Sequence, residues 1–243
     1  MAAAREKPDQ SLVTKTPKEE ELSIIEKLNE FANKNRKSLF LALAVLIAIL
    51  AGALIFLGVS EKLKASAFRK VDEFNQRYEA LKGSIGSQED EAASKQEETA
   101  ALLEELAAFA ARSSGFAAGR AYSISAEIYE AEKKWADAEK AWLASAKAAA
   151  KTYLAPVSLY RAAVASEEQE NTESAIELYT RALNYDNAFS VAARAQFSVG
   201  RLEEKRNNME AALAAYRNLI SKWPNDTLWT NLAQSRIILL TDR

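Results

Sequence analysis

The chain has 243 residues without cysteine or histidine, and 32 Lys+Arg against 34 Asp+Glu give a net charge of −2. The two missing residue types exclude thiol and imidazole catalysis and Cys/His zinc sites, and the near-neutral charge argues against a nucleic-acid partner. Seven glycines and four prolines are few helix breakers for this length, so the composition predicts an all-α protein. We expect no enzymatic activity, metal or cofactor.

The N-terminal region divides into a tail and a helix. Residues 1–15 are polar and lack apolar periodicity, which predicts a disordered tail. Thr16 and Pro17, with Glu19 three residues after the threonine, are typical of a helix start. We therefore predict an amphipathic cytoplasmic helix over residues 16–38. Its apolar stripe either binds a partner or membrane surface, or leads into the next segment.

Residues 39–59 are an uninterrupted apolar segment. At about 1.5 Å per residue, 21 residues cross a hydrocarbon core of about 30 Å. A buried core helix would show some polar face, and a cleavable signal peptide has a shorter apolar run, so both alternatives are disfavoured. The sequence predicts one transmembrane helix in contact with the lipid bilayer. The fifteen residues on each side of it carry four Lys or Arg, so the opposite orientation stays open, but crowding of Lys34, Arg36 and Lys37 at the N-terminal edge favours a cytoplasmic N-terminus.

Residues 60–115 follow as a predicted stalk with N-terminal capping helices. Ala67, Val71, Phe74, Tyr78 and Leu81 recur in steps of 4 and 3, which is typical of a helix that packs on another helix. Because the pattern covers only about two heptads, packing against the chain's own repeats is favoured, while a homo-oligomer through the stalk stays open. Residues 83–97 are predicted to form a loop before a helix at about 98–112.

A repeat of 37 residues organises residues 116–226. Small residues recur in register and each is followed four residues later by an aromatic residue, as in Ala138/Trp142, Ala175/Tyr179 and Ala212/Tyr216. Twelve residues before each alanine stands another small residue: Ala126, Ala163 or Gly200. Small side chains allow paired helices to approach closely. Polar segments at 132–134, 168–171 and 205–208 divide each unit into two helices.

This pattern resembles the tetratricopeptide repeat (TPR) family. The residues that match the family pattern in its three units are Tyr122, Ala126, Tyr129, Ala138, Trp142 and Ser145; Leu159, Ala163, Ala175, Tyr179 and Ala182; and Val199, Gly200, Ala212, Tyr216 and Pro224. The period of 37 exceeds the family's usual length. The resemblance implies an α-solenoid of about three helix-turn-helix repeats that binds other proteins, with residues 227–243 as a C-terminal capping helix.

The order of tail, single span, stalk and repeats also resembles the YfgM-like family of ancillary SecYEG translocon subunits. That resemblance implies a single-pass protein of the bacterial inner membrane with its N-terminus in the cytoplasm and its repeats in the periplasm. The implied partners are translocon or chaperone subunits. The alternative is a scaffold of an envelope machine, such as a flagellar-motor collar or an outer-membrane assembly complex.

The TPR resemblance places the partner-binding surface on the concave wall formed by the first helices of the pairs. The candidate protein-binding residues are Arg120, Tyr160, Arg161, Val164, Arg194, Phe197 and Arg201. Guanidinium groups bind carboxylates and rings cover apolar side chains, so this set predicts a groove for an extended peptide with acidic groups. The alternative is that the arginines pair with Glu127, Glu130 and Glu204 on a solvated face.

Overall fold

The computed structural model describes residues 17–83, 92–185 and 189–242. All regular secondary structure in these residues is α-helical, which confirms the predicted all-α class. The helices are α1 (Pro17–Lys34), α2 (Arg36–Leu81), α3 (Ala92–Arg112), α4 (Gly115–Ala131), α5 (Trp135–Ala148), α6 (Leu154–Glu168), α7 (Thr172–Leu183), α8 (Ala192–Lys205), α9 (Met209–Lys222) and α10 (Thr227–Thr241). The predicted disordered tail at 1–15 lies outside the described residues.

The chain divides into two compact units, Met1–Lys62 and Leu63–Arg243. The first unit contains α1 and the N-terminal part of α2. Within the described residues, the segment Arg36–Leu54 is the one helix long and apolar enough to cross a membrane. Its apolar side chains are exposed, so the alternative of a buried core helix is wrong for the described chain. The span itself stays a prediction, which length and composition support.

The C-terminal part of α2 packs inside the second unit. Phe74, Tyr78 and Leu81 are buried in one apolar cluster with residues of α3 and α4. The other buried members of this cluster are Leu102, Leu106, Ala110, Ala121, Ile124 and Ile128. Packing of the stalk against the chain's own helices is therefore confirmed. Three of the five positions of that pattern are thus occupied within one chain, and a homo-oligomer through the stalk stays a prediction.

The start of α3 differs from the prediction. The sequence predicted a loop up to Glu97 and a helix from about residue 98, whereas α3 begins at Ala92. Residues 92–97 read AASKQE and contain no glycine or proline. Their polarity indicated a loop, but alanine, lysine and glutamine are good helix formers and extend a helix that is anchored further along.

The repeats form three helix pairs: α4/α5, α6/α7 and α8/α9. Each helix from α3 to α10 packs on the next, and α4 also contacts α6 as α8 contacts α10. This arrangement confirms the predicted TPR-like α-solenoid. The predicted C-terminal helix at 227–243 corresponds to α10, and its Ala233 is buried against Tyr216 and Leu219 in a small core.

The turn inside each pair repeats the same backbone conformation. Lys133, Glu170 and Asn207 lie 37 residues apart and all have positive φ angles, of 58°, 61° and 62°. The N–H of the next residue donates to a carbonyl five residues earlier, as in Lys134 to Tyr129 at 2.8 Å. The equivalent bonds, from Asn171 to Ser166 and from Asn208 to Glu203, both measure 2.9 Å. These bonds are typical of a Schellman helix end, here without the glycine that usually occupies it.

The small residues of the repeat lie where two helices meet. Ala138, Ala175 and Ala212 are fully buried. At Gly200 a Cβ atom would lie 2.5 Å from Cε1 of Tyr216, which is closer than any ordinary van der Waals contact. The third repeat therefore requires glycine where the first two carry alanine, because the Tyr216 ring lies directly against the backbone of α8.

Candidate protein-interaction surface

A glutamate recurs on the first helix of each pair and binds two partners. Glu130 on α4, Glu167 on α6 and Glu204 on α8 lie 37 residues apart. The second helix of the same pair donates from its aromatic residue: Trp142 Nε1 to Glu130 at 2.8 Å, Tyr179 Oη to Glu167 at 2.6 Å, and Tyr216 Oη to Glu204 at 2.5 Å. We call each such set a Glu–aromatic–Arg unit, since an arginine completes it.

The arginine comes from the first helix of the following pair, or from α10. Arg161 pairs with Glu130, Arg201 with Glu167 and Arg236 with Glu204. For the last of these, Nε of Arg236 lies 3.0 Å from Oε1 of Glu204. Each unit therefore joins three helices across a repeat boundary by charge-assisted hydrogen bonds.

Burial of the units shifts several pKa values. Burial raises the pKa of Glu130 above its ordinary value, although Arg161 and Trp142 oppose this effect. Burial, followed by the hydrogen bond to Glu167, raises the pKa of Tyr179. Burial, followed by the hydrogen bond to Glu204, also raises the pKa of Tyr216. These phenols therefore stay protonated and continue to donate at alkaline pH.

Sequence reasoning named Glu130 and Glu204 as possible arginine partners, but it missed Glu167 and the aromatic donors. The spacing of 37 between the glutamates matches that of the small residues four positions earlier, so the signal was present in the repeat. The arginines carried no such signal. Arg161, Arg201 and Arg236 are separated by 40 and 35 residues, and only the packing of successive first helices brings each one to its glutamate.

Three of the four arginines predicted to line the groove are in ion pairs. Arg120 lies 3.8 Å from Glu127 and donates to Asn75 of α2 at 2.9 Å. Arg161 and Arg201 belong to the units described above. The alternative in which arginines pair with glutamates is confirmed for these three. Its partners need one correction: Arg201 pairs with Glu167, and Glu204 pairs with Arg236 of α10.

Tyr160 is not at the surface. It was predicted to be an exposed position of the wall, but it is only 6% exposed. Its ring centroid lies 5.3 Å from that of Tyr179 and 6.2 Å from that of Phe189, so it belongs to the core between two pairs. Val164 on the same helix is half-buried and packs on this core. An aromatic side chain buries its area wherever neighbouring rings are within reach.

Arg194 differs from the other groove arginines. Its side chain is exposed, and its guanidinium carbon lies 5.6 Å from the ring centroid of Tyr160 and 6.0 Å from that of Trp229 on α10. Within the part of the chain that the structure describes, it has no carboxylate partner. Phe197 lies beside it. The ring centroid of Phe197 is 5.3 Å from that of Tyr216 and 5.3 Å from that of Trp229.

We call Tyr160, Arg194, Phe197 and Trp229 the Arg194 cluster. Trp229 was missed by sequence reasoning, because its position depends on how α10 is rotated against α8. In the described ranges, no group of three or more acidic side chains is arranged to hold a metal ion. The Arg194 cluster therefore presents a cation, the guanidinium group of Arg194, held against aromatic ring faces.

The raised tyrosine pKa values predict a loss of stability at alkaline pH. Tyrosines of the unfolded chain titrate near their ordinary value of 10.0, whereas Tyr179 and Tyr216 retain their protons to higher pH in the folded chain. The folded state then binds more protons, so the free energy of unfolding falls as pH rises above 10, by up to about 1.4 kcal/mol per pH unit for each tyrosine. Thermal unfolding of the full chain in detergent, measured from about pH 9 to pH 11.5, tests this.

The double variant Tyr179→Phe/Tyr216→Phe is the control. It removes both titrating groups, so its melting temperature should fall less steeply over the same range. Equal slopes in the two proteins would contradict the assignment.

The helix pairs, the in-register turns and the buried alanine–aromatic contacts define an all-α TPR-like solenoid. No family model matches the chain. A curated TPR repeat-containing protein from Treponema pallidum (strain Nichols) is similar to it, with 36% identity over 91 residues. The match covers 37% of this chain and 37% of that protein, so the chain aligns with little more than a third of the relative's length. The similarity supports a TPR protein and, with it, a module for protein–protein interaction.

Proposed function

We propose that this chain is a membrane-anchored TPR protein of the bacterial inner membrane, which presents its repeats in the periplasm. It acts there as an ancillary subunit of the translocon or of the chaperone network. Three features support the proposal: the apolar segment Arg36–Leu54, the TPR-like solenoid that follows it, and the similarity to a TPR repeat-containing protein. The YfgM-like order of elements supports the translocon role.

The Arg194 cluster is the proposed partner-binding site. The assignment rests on the guanidinium group of Arg194, which has no carboxylate partner in the described part of the chain. Arg161 and Arg201 donate to carboxylates of the same chain, and Arg120 donates to Asn75 and Ser123 with the Glu127 carboxylate 3.8 Å away. Arg194 instead lies against ring faces, which leaves the edge of its guanidinium group for a carboxylate of a ligand. Phe197 and Trp229 add apolar contact area beside it. The ligand is an extended peptide segment that combines an acidic residue with an apolar one.

The topology is tested first. Alkaline phosphatase and green fluorescent protein are fused separately after Arg243, because the phosphatase is active only outside the cytoplasm and the fluorescent protein only inside it. We expect phosphatase activity and no fluorescence. The opposite pair of results would overturn the periplasmic placement.

Partner binding is tested by crosslinking in intact membranes followed by mass spectrometry, with Arg194→Glu compared against Arg217→Glu. Both variants reverse one exposed charge, but Arg217 lies on α9, the second helix of its pair. We expect the wild type and Arg217→Glu to recover translocon subunits together with diverse exported proteins. Arg194→Glu should lose the exported proteins by about tenfold, because a carboxylate would then face the ligand's own carboxylate.

The recovered proteins also distinguish the two classes of function. A subunit that handles clients binds many segments weakly, whereas a scaffold binds one partner over a large interface of about 2,000 Å² or more. Recovery of a single stoichiometric partner, unchanged in Arg194→Glu, would replace the proposal with the envelope-scaffold function and move the contact away from the Arg194 cluster.

A further inference from the structure

An open cavity of about 700 Å³ lies between α2, α3 and the start of α4, wholly within the second unit. Sites that bind small molecules have volumes of roughly 300–1,000 Å³, so this cavity can hold one. We call it the α2–α4 cavity. The lining residues that characterise it are Leu63, Lys64, Phe68, Lys70, Arg112 and Phe116.

The α2–α4 cavity is positively charged. Its lining contains Lys64, Lys70 and Arg112 and, among the described residues, no aspartate or glutamate. The ammonium group of Lys70 is held 2.6 Å from Oε1 of Glu73. Arg112 uses Nε to donate to the carbonyl of Ala108 at 3.0 Å, and it forms no ion pair within the described chain. The other N–H groups of its guanidinium can therefore donate to an anion, and Lys64 adds a second positive charge to the same lining.

A row of aromatic rings borders the same cavity. The ring centroid of Phe68 lies 5.9 Å from that of Phe116, which lies 5.7 Å from that of Tyr153. These rings come from α2, from α4 and from the turn before α6. Leu63, Phe68 and Tyr153 are 64%, 44% and 59% exposed. Cations beside exposed apolar side chains suit a ligand with an anionic head and an apolar body.

The position of the cavity in the sequence indicates which ligand of this kind is within reach. Lys64 follows Val59, the last residue of the proposed span, by five residues. Five residues reach at most about 18 Å when fully extended and about 7.5 Å in an α-helix. The polar layer of a bilayer extends roughly 5–8 Å beyond each side of the hydrocarbon core. Headgroups that border the span are therefore within reach of the cavity.

We propose that the α2–α4 cavity binds an anionic phospholipid of the bilayer. Lys64 and Arg112 hold its phosphate by charge-assisted hydrogen bonds, and Leu63, Phe68 and Tyr153 contact its apolar part. A zwitterionic lipid binds less well, because its own cation is repelled by the lining. The inference rests on the proposed function, since it requires residues 39–59 to anchor the chain in a membrane.

Photo-crosslinking tests the site in the full chain. Benzoylphenylalanine replaces Phe68, so that an aromatic side chain stays in the cavity, and the protein is reconstituted in nanodiscs. These contain equal amounts of phosphatidylglycerol and phosphatidylcholine with the same acyl chains, and mass spectrometry identifies the attached lipid. We expect phosphatidylglycerol adducts in about tenfold excess, because each basic side chain near an anionic headgroup adds to the binding. Equal amounts of the two adducts would overturn the proposal.

Three double variants test the two cations. Lys64→Gln/Arg112→Gln should bring the two adducts to about equal amounts, whereas Lys64→Arg/Arg112→Lys keeps both charges and should keep the excess. Lys140→Gln/Arg217→Gln is the matched control, since it removes the same charge from exposed positions of α5 and α9. An excess that persists without Lys64 and Arg112, or that disappears equally in the control, would contradict the assignment.

A second crosslinking position separates this inference from the proposed anchor. Benzoylphenylalanine in place of Leu46, inside the apolar segment, should attach both lipids equally. Adducts at position 46 with none at position 68 would exclude the lipid site and leave the anchor in place. No adduct at either position would overturn the anchor and, with it, the proposed function.

Competition with a soluble anion identifies the other possible occupant. Excess inorganic phosphate is compared with sodium chloride of the same ionic strength, so that screening is equal in the two samples. We expect the two to leave the same amount of phosphatidylglycerol adduct at position 68. A loss with phosphate alone would assign the cavity to a soluble anion instead of a lipid.

Discussion

Replacement of Tyr216 by alanine is expected to lower the free energy of unfolding by about 3–5 kcal/mol, as for other buried aromatic side chains. Tyr216 is 0% exposed. Its ring lies against the backbone at Gly200, its ring centroid is 5.3 Å from that of the tilted Phe197 ring, and its Oη donates to Glu204. Removal leaves a cavity between α8 and α9 that the rigid helix pair cannot close. Urea unfolding of the full chain in detergent, followed by circular dichroism, measures the loss.

Two further variants separate the ring from its hydroxyl. Tyr216→Phe keeps the ring and loses only the bond to a charged acceptor, at a cost of about 1.5–3 kcal/mol. Tyr153→Ala makes the same truncation at a side chain that is 59% exposed and should cost less than about 1 kcal/mol. If Tyr216→Ala and Tyr153→Ala had similar effects, the proposed packing of the third repeat would be wrong.

Phe74→Ala is the second substitution with a large expected effect, again about 3–5 kcal/mol. Phe74 is 1% exposed on the C-terminal part of α2, and its ring meets that of Phe109 on α3 edge-on at 5.5 Å. Loss of the ring opens the cluster that joins α2 to α3 and α4. The same urea titration measures this effect, and we expect one cooperative transition at lower denaturant concentration.

Phe68→Ala, six residues earlier on the same helix, is the matched control. Phe68 is 44% exposed, so its truncation should cost less than about 1 kcal/mol. The pair of variants also distinguishes two roles for the stalk. If α2 served to pair two chains, Phe74→Ala would lower the mass of the assembly and leave the unfolding of the single chain unchanged.

The repeats could be predicted from the sequence because their spacing is set by local geometry. Alanine or glycine recurs wherever two helices approach closely, and an aromatic residue recurs one turn later on the second helix. Both signals depend only on residue type and register. The same period marked Glu130, Glu167 and Glu204, although their arginine partners did not follow it.

The start of α3 and the burial of Tyr160 were not predicted correctly, for two different reasons. At residues 92–97 a polar composition favoured a loop, but nothing in that segment breaks a helix. At Tyr160 the position on the helix indicated an exposed wall, whereas Tyr179 and Phe189 surround the ring from other elements. A residue's neighbours along one helix do not reveal the rings that another helix brings to it.

The sequence by itself determined the all-α class, the apolar segment, the three helix pairs and their 37-residue period, because helix propensity and spacing are properties of short stretches of chain. The tertiary structure alone decided which arginines are available. Arg161, Arg201 and Arg236 receive a glutamate from the preceding pair, while Arg194 lies against Tyr160 and Trp229. The rotation of α10 likewise decided that Leu228, Leu232 and Leu239 face solvent. Ion pairs and exposed faces depend on residues far apart in the sequence, and only packing brings those together.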